Sequence, residues 1–392
     1  MSADWIAELG ARFDRVAIAH DWLTVPGGSE DVVLDLLELF PDAELFTTVY
    51  DPEPWPAKIT DRPVHASFLN RIPGATTNYP KLLPLMNRAF RSFDLSGFDL
   101  VVSSSHANAK NVRKAPGALH VCYCHTPMRY AWEPEFLDGE DVGRATRMVL
   151  PPLLGHLRRV DLAGAAGPDL FVANSAFVAA RIRRFYGRDA VVVHPPVDVD
   201  RFLGLEHRPE DYYLTFGRVV PYKRVDLAVD ACEFGGRQLK VAGDGRALGR
   251  LRERDRAGVE FLGRVTDAER DELFAGARAL LFPGEEDFGI VPVEAQAAGV
   301  PVIAYGVGGA CESVLDGETG VLFGEQTAAS LAGAIGRFEE LGIAGSDAPR
   351  RQARNFGRER FRAEMARVTV EADDARRAST RPTSGRAAPG SS

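Results

Sequence analysis

Cysteine is scarce in this chain: Cys122, Cys124, Cys232 and Cys311 are the only four in 392 residues. They are too few and too scattered for a disulfide framework and fit a reducing compartment. Long apolar runs are missing as well, since no segment reaches about 18 consecutive apolar residues, which argues against a membrane-spanning helix. The opening residues MSADWIAELGARFD lack the basic and apolar regions of an export signal, so a cytoplasmic location is expected. Positive charge is not in excess either. A net charge of −8 argues against a general nucleic-acid binder, although a local basic patch can still meet phosphates or a membrane surface. No repeat of solenoid period is visible.

What is present is ordinary globular material, 45% hydrophobic and 26% charged, in a chain long enough for two domains with their own cores. Arg15–His20 reads as a buried strand followed by a glycine-containing loop and a helix over Gly28–Phe40. Further strands are expected at 44–50, 98–104, 119–124, 169–174 and 190–194, closing a first domain of residues 1–200 near His194-Pro195-Pro196. A second series, at 212–217, 238–242, 259–262, 279–282, 301–305 and 320–323, fills residues 201–352, and Thr266 to Glu269 forms a capping box. Strands alternating with helices imply parallel sheets. The fold class is therefore α/β, with two Rossmann-like doubly wound domains facing across a cleft. Residues 353–372 read as a terminal helix, and 373–392, rich in Arg, Ser, Gly, Ala and Pro, as a disordered tail.

The stretch that organises the chain runs from Phe282 to Cys311, FPGEEDFGIVPVEAQAAGVPVIAYGVGGAC. A buried strand breaks at Pro283-Gly284 into an acidic loop, resumes as a helix over Ile290–Gly299 and returns as a strand. Glu286 falls in the loop and Glu294 in the helix's first turn, where Pro292 needs no hydrogen bond from its nitrogen. Both carboxylates are expected to face one crevice at the carboxyl ends of the strands, beside free helix-terminal N–H groups. That lining suits hydroxyl-rich ligands.

The E-x7-E spacing in the context F-G-I-V-P-V-E-A-Q-A-A-G-V-P-V resembles the signature of retaining glycosyltransferases of family 4, which have the two-domain GT-B fold. Among 55 acidic residues the bare spacing recurs by chance. The context after a buried strand carries the resemblance, which extends over residues 15–370. It implies that Glu294 meets the ribose hydroxyls of a nucleotide sugar and Glu286 the hydroxyls of its sugar, with Phe288, Gly289, Ile290 and Val291 completing the donor site. Gly217-Arg218-x4-Lys223 places two cations at a strand end, where a guanidinium fork and an ammonium can hold a diphosphate. By the resemblance Arg218 and Lys223 stabilise the leaving phosphate. Gly27 and Gly28 in Pro-Gly-Gly-Ser-Glu let the backbone approach a phosphate or sugar closely. The Gly243-Asp244-Gly245 turn corresponds to the family's turn near the nucleotide base.

Cys124-His125-Thr-Pro-Met-Arg129-Tyr130-Ala-Trp132 resembles a subset of the family that includes bacterial mannosyltransferases of polysaccharide assembly. This implies that His125 faces the donor sugar near the reacting bond. His20, Asp21, Arg129, Tyr130 and Trp132 are then expected on the acceptor side. Asp198-Val-Asp200 imitates a metal-binding D-x-D, but its setting P-P-V-D-V-D-R-F matches the family's interdomain stretch, so no catalytic metal and no cofactor are expected. Cys122 and Cys124 read as small core residues. Tyr79–Phe93, apolar with Lys81, Arg88 and Arg91 interspersed, is either an amphipathic segment touching lipid or a core helix with a solvated basic edge.

The resemblance therefore implies a metal-independent, retaining hexosyltransferase, with GDP-mannose the favoured donor and a glycan or lipid-linked acceptor, working in the cytoplasm or on the inner face of the membrane. A nucleotide-sugar epimerase or hydrolase of the same fold, or a non-catalytic nucleotide-sugar-binding protein, would use the same cleft.

Overall fold

The computed structural model describes residues 2–133, 144–253 and 256–380. Two parallel sheets organise them. The first has seven strands in the order β3-β2-β1-β4-β5-β6-β7: β1 Val16–His20, β2 Glu44–Thr47, β3 Val64–Ala66, β4 Leu100–Ser105, β5 Leu119–Cys124, β6 Leu170–Ala173 and β7 Val191–Val192. The second has six in the order β10-β9-β8-β11-β12-β13: β8 Tyr213–Phe216, β9 Leu239–Ala242, β10 Val259–Gly263, β11 Leu280–Phe282, β12 Val302–Tyr305 and β13 Gly320–Phe323. Every residue of β1, β4 and β5 is buried. Such continuous burial is what a parallel strand covered on both faces requires. In each sheet the first strand of its series, β1 or β8, lies centrally, where the strand order reverses. Loops leaving these strands form a crevice at their carboxyl ends.

Alternation of side chains separates the two faces of β5. Cys122 and Cys124 pack with Phe171, Val178 and Ile182, while Tyr123 enters the opposite cluster with Leu36 and Phe361. Thr266 and Glu269 make the expected reciprocal capping box, with Thr266 N donating to Glu269 at 2.6 Å and Glu269 N to Thr266 at 3.3 Å.

Three expectations are corrected. β3 was not foreseen; it is three residues long, and none of them is fully buried. Glu294 is the fifth residue of the helix Ile290–Ala297, beyond its first turn. The terminal helix runs over Arg358–Thr380, so residues 373–380, expected to be disordered, are helical. Residues 381–392 of the expected tail lie outside the described residues. Phe361, Met365 and Ala366 of this helix join the core of the first sheet, so the chain closes back on its first domain after completing the second.

Candidate active site

The loop after β8 and the loop after β11 touch. A Cβ on Gly284 would stand 2.8 Å from Lys223 Cα, so only glycine permits the approach. A cavity forms between the loops, lined among others by Gly217, Arg218, Lys223, Phe282 and Glu286. Within it Lys223 Nζ lies 2.5 Å from Glu286 Oε1, while Arg218 is exposed and donates to the Tyr222 hydroxyl at 3.1 Å. Gly243 closes the back: its φ is +136°, and a Cβ there would fall 1.8 Å from Gly217 O. The Gly243-Asp244-Gly245 turn thus packs on the cationic loop, with Val219 N donating to Asp244 O at 2.9 Å.

Glu294 does not line this cavity. Burial pushes its carboxyl up to about 7, with Arg270, Asp31, Arg201 and Asp198 as its charged neighbours. Glu286 thus pairs with Lys223, while Glu294 has the charges of Asp31 in the first domain and of Asp198 and Arg201 in the interdomain stretch around it. Phe288 is buried against His194 and Phe356, at 5.4 and 5.6 Å between ring centroids. Gly289 starts the helix at φ +86°. Ile290 and Val291 are half-buried, and Ile290 meets the other domain, because a Cβ on Gly28 would stand 2.5 Å from its Cδ1. Gly28, at the start of the helix Gly28–Leu39, is therefore in contact with the start of the helix Ile290–Ala297.

On the first domain, His125 is half-buried at the end of β5, with Nε2 2.8 Å from Ser104 Oγ. Burial and the nearby His106 and His20 push its pKa down to about 3, so the ring is neutral. Of the expected acceptor-side residues, Tyr130 is exposed and the others are engaged elsewhere. Asp21 is fully buried and accepts four backbone N–H bonds, from His106 at 2.7 Å, Ala107 at 3.0 Å, Asn108 at 2.5 Å and Ala109 at 2.8 Å. It shapes the loop after β4 and has no acceptor capacity left for a ligand. His20 is fully buried between Glu30 and Ser104. Trp132 donates to Asp161 at 2.7 Å and stacks on Phe185 at 4.9 Å, and Asp161 in turn pairs with the buried Lys110. Arg129 points across the cleft, its Nη2 2.8 Å from Asp287 Oδ2.

Asp287, Arg181 and Glu312 were missed. Asp287 also pairs with Arg181 at 2.8 Å, and its backbone carbonyl accepts from Ser175 at 2.5 Å. Glu312 accepts from Ala176 N, Phe177 N and His194 at 2.9, 3.2 and 2.8 Å. Position in the acidic run Glu285-Glu286-Asp287 was the one available signal, for Asp287 alone. The partners are more than 100 residues away, and no local pattern reveals them. Among the described residues no cluster of His, Cys, Asp and Glu could hold a metal ion. Asp198 instead stands at the start of the short helix Val199–Leu203.

Comparison with known proteins gives two adjoining family matches: Glycosyltransferase Family 4 over residues 26–201 and Glycosyl transferases group 1 over residues 199–360. A D-inositol 3-phosphate glycosyltransferase of Streptomyces scabiei is 31% identical over 208 residues, covering 44% of this chain and 46% of that protein. Its counterpart in Mycobacterium bovis is 32% identical over 212 residues, covering 47% and 43%. The chain thus spans less than half the length of these curated relatives. Among solved structures, sucrose-phosphate synthase of Thermosynechococcus elongatus superposes with a TM-score of 0.70 at 18% identity, over 92% of this chain and all of that one. Anabaena HepE in complex with UDP gives 0.65 at 18% identity, over 91% of this chain and all of that one.

Proposed function

We propose, for a chain that joins a Glycosyltransferase Family 4 match to a group 1 glycosyl transferase match in the GT-B fold, that it moves a hexose from a nucleoside diphosphate sugar to a hydroxyl acceptor. One observation carries the reading: Arg218, Lys223 and Glu286 line one cavity at the carboxyl ends of β8 and β11. Two cations there suit a diphosphate, and a carboxylate beside them suits the hydroxyls of the attached sugar. As the glycosidic bond breaks, negative charge builds on the leaving phosphate, where Arg218 and Lys223 stabilise it most. These cations can supply the charge that a metal provides elsewhere, so transfer is proposed to need none. Retention, with the leaving phosphate oxygen taking the acceptor's proton on the same face, follows the family resemblance.

GDP-mannose is the proposed donor, on the strength of the His125-to-Trp132 motif. The acceptor is proposed to be a glycan or a lipid-linked sugar. From Arg62 to Phe93 there is no acidic residue, in a chain of net charge −8. Phe68, Ile72 and Leu85 of that stretch are exposed. Asn87, Arg88, Arg91 and Ser92 of the same stretch, with Arg113, line an open concavity of about 430 Å³. Basic and apolar groups exposed together suit the surface of an anionic membrane. A phosphorylated polyol acceptor is the second reading, favoured by the D-inositol 3-phosphate glycosyltransferases among the relatives.

The test is transfer from GDP-, UDP-, ADP- and dTDP-sugars to lipid-linked glycans, soluble glycans and inositol phosphates with chelator present. Chelator-resistant transfer from one donor, abolished by Lys223→Ala, supports the proposal. Hydrolysis or epimerisation without transfer overturns it in favour of the related activities, and absence of any nucleotide-sugar binding overturns the reading of the cavity.

A further inference from the structure

The short helix Arg129–Trp132, which follows β5 in the first domain, is anchored at both ends. Met128 and Ala131 are buried with Ala107 and Leu157, and Trp132 is bonded to Asp161. From this base the Arg129 side chain, 15% exposed, crosses to both loops of the second domain that form the donor cavity. Its Nη2 is 2.8 Å from Asp287 Oδ2, one residue beyond Glu286 in the loop after β11. Its Cζ lies 6.0 Å from the ring centroid of Tyr222, one residue before Lys223 in the loop after β8. A guanidinium at that distance is attracted by the negative face of the ring.

Tyr222 carries the contact onward to Arg218. The Tyr222 hydroxyl oxygen accepts from Arg218 Nη2 at 3.1 Å, and the direction is fixed because a guanidinium only donates. This bond uses one of the five N–H donors of Arg218 and leaves four for a phosphate. Arg218 is exposed on the cavity wall, so without the Tyr222 bond its long side chain would rotate freely. Ordering such a side chain only when a ligand arrives weakens binding by about two- to tenfold.

Arg181 supplies a comparison at the same carboxylate. It too pairs with Asp287 at 2.8 Å, and with Glu133 at 2.8 Å. Its ring contacts among the described residues, however, are Phe177 and Phe185 of the first domain. Both arginines tie the domains together, but Arg129 is the one that lies over Tyr222.

We infer that Arg129 is a positioning residue of the donor site: it braces Asp287 and the Tyr222 ring, and through the Tyr222 hydroxyl it holds Arg218 ready for the diphosphate of a nucleotide sugar. The inference rests on the proposed transferase reading for its use, but not for its geometry. It moves Arg129 from the acceptor side, where its sequence motif suggested it, to the donor side.

Titration calorimetry of the full chain with GDP, UDP, ADP and dTDP tests the role. Tyr222→Phe removes only the hydroxyl and leaves the ring and the interdomain ion pairs, so it separates positioning from stability. Affinity for the nucleotide that binds should fall about fivefold in Tyr222→Phe with an unchanged melting temperature, and about tenfold in Arg129→Ala, while Arg181→Gln stays within about twofold. The double variant should lie within about twofold of Arg129→Ala, because both changes cut the same line of contacts. Amide hydrogen exchange without nucleotide reads the brace separately: residues 217–223 should exchange several-fold faster in Arg129→Ala and at the unaltered rate in Arg181→Gln. Native affinity in Tyr222→Phe, equal losses in Arg129→Ala and Arg181→Gln, or unchanged exchange of residues 217–223 in Arg129→Ala overturns the inference. The expected exchange with no nucleotide bound by the unaltered protein overturns the proposed activity and leaves the brace standing.

Discussion

Lys223 and Glu286, from the loops after β8 and β11, form an ion pair with Nζ and Oε1 2.5 Å apart, both half-buried in the candidate donor cavity. The cation suited to a phosphate and the carboxylate suited to a sugar hydroxyl thus hold each other. On the proposed reading, binding of a nucleotide sugar would exchange this pair for two new interactions.

That exchange makes the two residues separable. Glu286→Gln releases Lys223, so affinity for a nucleoside diphosphate alone should be unchanged or a few-fold tighter. Transfer should still fall by roughly 100-fold, because the sugar hydroxyl contact is weakened where charge develops. Lys223→Ala should lower both nucleotide affinity and transfer. Titration calorimetry with the diphosphate, beside initial rates, checks the pair. Equal loss of nucleotide binding in both variants would contradict the exchange.

Asp287 ties the domains together through Arg129 and Arg181, each at 2.8 Å. Removing the carboxylate takes this partner from Arg129 and leaves the buried Arg181 with Glu133, at 2.8 Å, as its remaining counter-ion. Asp287→Ala should therefore cost about 2–3 kcal/mol, with most of the loss at the interface between the domains. Calorimetry should show the melting transition lowered by several degrees or split into two, and small-angle scattering should show a larger radius of gyration. A variant with unchanged melting and unchanged scattering would show that Glu312 and the Gly28–Ile290 contact hold the domains by themselves.

The alternation of strands and helices, the glycine turns and the cationic loop were legible because each is a local pattern. Gly217, Arg218 and Lys223 lie within seven residues, and a strand end positions them together. Misread residues owe their state to distant partners. Asp21 looked free beside His20, but its four donors come from residues 106–109. Trp132 looked like part of a ligand surface, but Asp161 takes its N–H. The end of the chain misled for the same reason. Residues 373–380 show no apolar periodicity, yet Asp373 is buried and bonded to Arg376 at 2.6 Å, and Arg12, just after the first helix Ser2–Gly10, donates to Asp374 at 2.6 Å. Charge pairing with the other end of the chain, invisible to a local reading, carries the helix onward.

The basic concavity yields a prediction about surfaces. No ion pair to Arg88, Arg91 or Arg113 is present among the described residues, whereas Arg129 and Arg181 at the cleft both pair with Asp287. Each cation near an anionic surface is worth about 1 kcal/mol, so the triple substitution R88A/R91A/R113A should weaken sedimentation with phosphatidylglycerol vesicles by roughly 100-fold. Binding of the unaltered protein should fall steeply with salt, and neutral phosphatidylcholine vesicles should not bind. Retention of vesicle binding in the triple variant would assign any membrane contact to another face.

Glu294 gives the chain a pH dependence whose sign is fixed. Burial raises its carboxyl from the ordinary 4.5 to about 7 in the folded protein, so between those values the folded state holds a proton that the unfolded state has released. Stability is therefore highest below about 4.5 as far as this group is concerned, declines as pH rises toward 7, and has lost about 3 kcal/mol beyond it. Glu294→Gln is neutral throughout, so it should flatten this slope and be more stable than the unaltered chain at pH 8. The same titration reports on the proposed ribose contact. If the ionised carboxylate accepts from the ribose hydroxyls, donor KM should fall as pH rises through about 7, and that fall should vanish in Glu294→Gln. Denaturant melts and donor KM across pH 5 to 9 measure both. A flat KM with a sloping stability would leave Glu294 a buried structural acid and remove it from the donor site.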